Sequence, residues 1–145
     1  MVSPYDGTFV GVDHLFKMAF KKFTDADLLY HNRNKFITGT KRSWGGAIFT
    51  KKESYAAAGG DNEFFKSWGP EDIERIKRME NLGYKVRRIE GPLFHLPHSR
   101  KENSGYFSSD IYIKYMEEYF KICRMHKPIL QSYVNAWPWK HSLTD

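Results

Sequence analysis

Cysteine is almost missing from this chain. Cys123 is the only one, so no internal disulfide can form and a reducing compartment is the default. It lies in an aromatic-rich helical stretch, where a buried inert thiol is expected rather than a nucleophile. Long apolar runs are lacking too: none approaches the roughly 20 residues that cross a bilayer. The opening Met-Val-Ser-Pro-Tyr-Asp-Gly has neither the basic start nor the apolar core of a signal peptide. These absences predict a soluble cytoplasmic protein with at most peripheral attachment to the inner membrane. Internal repeats, low-complexity blocks and Pro/Gly/Ser-rich linkers are likewise missing, so residues 1–145 read as a single domain. Acidic residues are in the minority, 17 against 23 lysines and arginines. The resulting charge of +6 suits anionic company: nucleic acid, acidic lipid headgroups or a sugar nucleotide's diphosphate. Charge alone does not choose among them.

What the chain has in abundance is aromatic side chains, 17% of residues. They fill cores, and Trp and Tyr also make flat apolar walls against which sugar rings stack. Residues 8–23 carry apolar positions at helical spacing (Phe9, Val12, Leu15, Phe16, Ala19, Phe20, Phe23) and residues 31–43 read as a polar loop. Trp44–Thr50 reads as a buried strand opened by two glycines, and residues 51–58 as a short helix ended by Gly59 and Gly60. The clearest helix start is Pro70-Glu71-Asp72, followed by the stripe Ile73, Ile76, Met79, Leu82 and closed by Gly83. Residues 84–90 alternate like a strand, residues 93–98 are extended, a last helix covers roughly 109–125, and the aromatic tail folds back on the body. Helix–strand alternation predicts an α/β layer arrangement with a small sheet.

Trp68-Gly69-Pro70-Glu71-Asp72 is the strongest chemical feature. Its two carboxylates stand in the first turn of a helix, where the positive end of the dipole keeps acids ionised, and an ionised carboxylate can take a proton from a sugar hydroxyl. Adjacent helical residues point about 100° apart, so one acid can orient an acceptor while the other serves as base. The plain alternative is an ordinary acidic helix start, with Glu71 paired to Arg75. His95-Leu-Pro-His98 places two imidazoles in a stiff extended loop. They are either donors to a divalent metal or surface and capping histidines, and Arg100 beyond them suits a phosphate oxygen. Gly45-Gly46 marks either close approach to a ligand or a tight turn. Asp25-Ala26-Asp27 has the letters of a metal-binding D-x-D, but it follows an amphipathic lysine-bearing segment and reads as a helix cap.

In their order, these pieces resemble the C-terminal region of galactosyltransferase-like enzymes of the GT-A fold, over residues 44–103. That resemblance implies the C-terminal half of a GT-A fold, with a motif-bearing core at 44–103 and a helix and aromatic tail at 104–145. It assigns Asp72 as catalytic base, Glu71 as the acceptor-binding acid, Trp68 as the stacking aromatic, and Gly69, Gly45 and Gly46 as acceptor-lining positions. His98, with His95 in a more variable position, is assigned to Mn²⁺. The implied reaction is metal-dependent, inverting transfer of galactose or an N-acetylhexosamine from a UDP-sugar to a glycan acceptor, as in polysaccharide biosynthesis. Pro70 in place of a second glycine suggests a bacterial-type branch. The nucleotide-binding half with its true D-x-D has no counterpart here, so the chain alone is expected to be incomplete and inactive. The rival readings are a non-catalytic carbohydrate-binding remnant and a basic nucleic-acid-binding module. Scattered positive charge and the acidic pair argue against nucleic acid as a partner.

Overall fold

The computed structural model describes residues 1–99 and 108–143. In chain order the elements are β1 (Val2–Ser3), β2 (Phe9–Gly11), α1 (His14–Phe23), α2 (Ala26–His31), a 3₁₀ turn (Arg33–Lys35), β3 (Ile37–Thr40), α3 (Lys52–Ala57), α4 (Glu71–Asn81), β4 (Arg87–Arg88), β5 (Leu93–His95), α5 (Ser109–Arg124), α6 (Lys127–Asn135) and a closing 3₁₀ turn (Pro138–Leu143). This is an α/β chain with small sheets and flanking helices. No helix among the described residues is long and apolar enough to cross a membrane.

Contacts divide the chain into two compact units. The first comprises residues 1–2, 48–87 and the described part of 100–145; the second comprises residues 3–47 and 88–99. Helices dominate the first. Ala58, Met79, Leu82, Ile122, Leu130, Val134 and Trp137 form its core, so the aromatic tail does fold back as its composition predicts. Through this core runs a buried ion pair that the sequence does not announce. Arg78 Nε donates to Glu74 Oε1 at 2.7 Å, with both side chains almost fully buried. The same guanidinium donates to the carbonyls of Ala58 and Gly60, the latter at 2.9 Å. Arg78 thereby ties α4 to the turn that ends α3. Gly59 in that turn has φ +92°, and a Cβ there would lie 2.6 Å from Val134 Cγ1, so only glycine fits.

The second unit holds a three-stranded mixed sheet ordered β3-β2-β5, antiparallel on one side of β2 and parallel on the other. Val10, Val12, Leu29 and Phe36 form its core, with Phe16, Phe20, Phe94 and Leu96 packed against them.

Several expected elements differ. Residues 8–23 are not one helix: β2 takes Phe9–Gly11, Val12 N donates to His95 O at 3.0 Å, and α1 begins only where Asp13 caps Phe16 N at 2.8 Å. The backbone groups of the first turn are spent on the sheet. Trp44–Thr50 is not a strand, and its one ladder contact is an isolated bridge between Phe49 and Val2. The reason is Gly46, whose φ of +95° turns the chain out of the extended region. The polar stretch 31–43 contains β3. Asp25 does cap a helix, accepting from Asp27 N at 2.9 Å at the start of α2.

Candidate functional site

The loop that leads into α4 is built before α4 begins. Tyr115, buried on α5, offers its hydroxyl oxygen to the backbone N–H groups of Lys66 (2.8 Å) and Ser67 (3.2 Å). Gly69 lies flat on the same ring: a Cβ at residue 69 would come within 2.8 Å of Tyr115 Cδ2. The chain then enters α4 at Pro70, whose carbonyl receives the Glu74 N–H at 2.8 Å. Gly69 is therefore required for packing, which leaves Trp68 half exposed at the lip of a cleft of about 350 Å³.

Asp61, Lys66, Trp68, Glu71 and Arg75 are among the residues that line this cleft. The acidic pair divides here. Glu71 lines the cleft, and its Oε2 is closed off from solvent with no hydrogen-bond partner among the described residues. Burial pushes the Glu71 carboxyl above its ordinary value, and the neighbouring Asp72 charge adds to the push against the pull of nearby backbone amides and Arg75. Desolvation thus works against the helix dipole at this acid and outweighs the groups that favour its charged form. The Glu71–Arg75 pairing of the plain alternative does not form, and Arg75 pairs elsewhere. Arg75 Nη1 donates to Asp72 Oδ1 at 2.9 Å, and its Nε and Nη2 donate to Asp61 Oδ1 at 3.0 and 2.7 Å. Burial works upward on Asp61 as well, but the Tyr55 hydroxyl and Arg75 hold its carboxyl below the usual range. Burial and the Asp61 contact push the Tyr55 phenol up to about 12.

Cations and anions on the cleft wall thus balance, beside an indole face and several hydrogen-bonding groups. Such a wall suits a neutral polyhydroxyl ligand better than a phosphate. The sequence motifs point to neither Tyr115 nor Asp61, and to Arg75 only as a partner of Glu71. Arg75 at three positions past Asp72 was the available signal; nothing local points to Tyr115.

Gly45, Gly46, His95 and His98 belong to the second unit. The Gly45 carbonyl accepts from the Tyr5 hydroxyl, and a Cβ on Gly46 would strike Leu93 Cδ2 at 2.6 Å, so both glycines have backbone tasks inside this unit. His95 stacks on Phe9 with ring centroids 4.9 Å apart. Its Nε2 lies 3.2 Å from His98 Nε2, and His98 Nδ1 donates to the Ser99 carbonyl at 3.1 Å. That last bond leaves His98 Nε2 to accept from His95 Nε2; only in the other tautomer of His95 do two lone pairs face each other as donors to one divalent ion. No group of three or more His, Cys, Asp or Glu placed to hold a metal occurs among the described residues. Arg100 lies outside the described residues.

Residues 30–101 match the family model described as the N-terminal domain of galactosyltransferase. The match spans just under half of the chain and contains Gly45, Gly46, Trp68, Gly69, Glu71, Asp72, His95 and His98. It supports a galactosyltransferase-like glycosyltransferase, acting with a sugar donor and an acceptor. The matched domain is an N-terminal one, so the C-terminal placement that the resemblance implies gains no support from it. No curated protein and no solved structure matches the chain. Tyr115, which braces the loop of this galactosyltransferase-like segment, lies beyond the matched residues.

Proposed function

We propose that this chain is the acceptor-binding and catalytic-base part of a bacterial-type, inverting GT-A glycosyltransferase. In this reading it serves transfer of galactose or an N-acetylhexosamine from a UDP-sugar to a glycan acceptor. The observation that carries the reading is the shared cleft wall of Trp68 and Glu71, inside the galactosyltransferase-like match and one residue from a second acid. Trp68 stacks on the acceptor ring. Glu71, whose carboxyl holds its proton to higher pH than usual, hydrogen-bonds an acceptor hydroxyl either as donor or as acceptor. Arg75 occupies Asp72 Oδ1 and leaves Oδ2 to take the proton of the attacking hydroxyl. As that proton leaves, the hydroxyl oxygen bonds to the anomeric carbon from the face opposite the diphosphate, and the sugar–phosphate C–O bond breaks with its electrons on UDP. Mn²⁺ is the metal this reading implies; His98 and His95 would hold it, and it would supply positive charge for the leaving diphosphate.

The ion pair between Asp72 and Arg75 also favours a second reading, a carbohydrate-binding module without turnover. One experiment separates the two. The chain is titrated with small glycan acceptors by tryptophan fluorescence and NMR and then, fused to the nucleotide-binding half that this reading calls for, assayed for acceptor-dependent UDP release with UDP-galactose, UDP-N-acetylhexosamines and Mn²⁺. Transferase function predicts binding that Trp68→Ala weakens, and release that Asp72→Asn lowers by about 10²–10⁴-fold with binding kept. Binding without release supports the module. Neither binding nor release overturns both readings.

A further inference from the structure

Arg75 has Glu71, Asp72 and Asp61 within reach, and it bonds only the last two. Glu71 stands four residues before it on α4 and Asp72 three, both at the spacing at which helical side chains meet. Asp61 comes from outside the helix. Its Oδ1 receives Arg75 Nε at 3.0 Å and Nη2 at 2.7 Å, while Nη1 donates to Asp72 Oδ1 at 2.9 Å. Every nitrogen of the guanidinium is thereby engaged, on a side chain only 13% exposed. Glu71 is left out, although its Oε2 is closed off from solvent without a partner among the described residues. Helical spacing alone favours the opposite outcome, because an arginine four residues after a glutamate ordinarily pairs with it. Asp61 reverses that preference. A guanidinium is a planar, rigid fork, so two donors committed to one carboxylate fix where the third can point. Asp61 is anchored in turn by the Tyr55 hydroxyl of α3, which hydrogen-bonds its carboxylate.

We propose that Asp61 is a positioning residue of the cleft, holding the Arg75 guanidinium away from Glu71 and off the second oxygen of Asp72. Both acids then keep an oxygen for a ligand. Without Asp61, Arg75 loses two of its three hydrogen bonds. A half-paired, mostly buried cation beside free carboxylate oxygens turns to them. Glu71 is then capped by the arginine, and Asp72 is gripped through both oxygens as fork pairs are. The effect on ligand binding rests on the acceptor-binding role proposed for Glu71; the effect on the side chains does not. Asp61 also lines the cleft, so the alternative is that it touches the ligand itself.

Two double-mutant cycles on the full chain test this. In the first, carbon-13 NMR follows the Glu71 side-chain carboxyl through a pH titration. The charged groups around it are Asp72 and Arg75 on its own helix, with Asp61 and Lys66 on the cleft wall. Asp61→Asn should lower the Glu71 midpoint by two routes, the loss of a nearby negative charge and the gain of Arg75 as a partner. In an Arg75→Met background only the first route remains, so the lowering should be smaller. Equal lowering in both backgrounds overturns the proposal, and this readout needs no ligand. Arg75→Gln takes the place of the methionine variant if circular dichroism shows that the latter does not fold. The second cycle measures the affinity for small glycan acceptors by tryptophan fluorescence. Asp61→Asn should weaken binding about tenfold, the worth of one hydrogen bond to a charged group, and adding Arg75→Met should recover most of that loss. A loss without recovery means that Asp61 touches the ligand, and overturns the positioning role. A first cycle that behaves as expected in a chain that binds no acceptor sinks the transferase reading and leaves the control of Arg75 by Asp61 standing.

Discussion

Glu71 and Asp72 are neighbours in sequence and both carboxylic acids, yet their surroundings push them toward different chemistry. Asp72 meets a guanidinium, while Glu71 has an orphaned oxygen and a carboxyl whose pKa burial raises. A carboxyl with a raised folded-state pKa binds more protons folded than unfolded over the interval between its two values. Stability then falls as pH rises through that interval, from the ordinary glutamate range upward. Glu71→Gln removes this penalty, so the variant should melt at a higher temperature than the parent at pH 7, with the difference shrinking toward pH 4. Melting curves at the two pH values check this; a variant that is less stable at both would show that the Glu71 environment is not a desolvating one. The motif's letters reveal two acids at a helix start. They do not reveal which one the cleft buries, because that depends on Tyr115 and Asp61, residues brought in by the fold.

Among the elements, α4 combines the legible and the hidden. Its start at Pro70-Glu71 and its end at Gly83, where Tyr84 N donates to Met79 O at 2.9 Å, are visible because caps are local chemistry. Asp25 was readable as a cap on the same grounds. β2 was not: Phe9 and Val12 fit a helical period as well as a strand, and pairing with residues 37–40 and 93–95 decides between them. Arg78 was hidden as well, since a basic residue in a helix ordinarily faces water. Its burial predicts that Arg78→Met costs about 3–5 kcal/mol by leaving the Glu74 charge alone. Glu74→Leu combined with Arg78→Met should recover most of that loss. Urea denaturation measures both; a single variant as stable as the double would mean that the pair is not coupled.

At the scale of the molecule, the galactosyltransferase-like segment does not complete either its own core or its own site. Leu130, Val134 and Trp137 close the core of the first unit, and Tyr115 braces its cleft loop. Deleting residues 126–145 leaves every matched residue in place but should abolish cooperative melting of this unit, followed by circular dichroism and amide NMR dispersion. A sharp melt in the deletion variant would mean that α6 is dispensable. The dependence on late residues also sets a schedule during synthesis. At about 5–20 residues per second, the ribosome needs about 2–7 s to pass from the end of the matched segment to Trp137. During that interval Met79, Leu82 and the Arg78 guanidinium have been made but their cover has not, so the nascent chain is open to chaperones and to premature association.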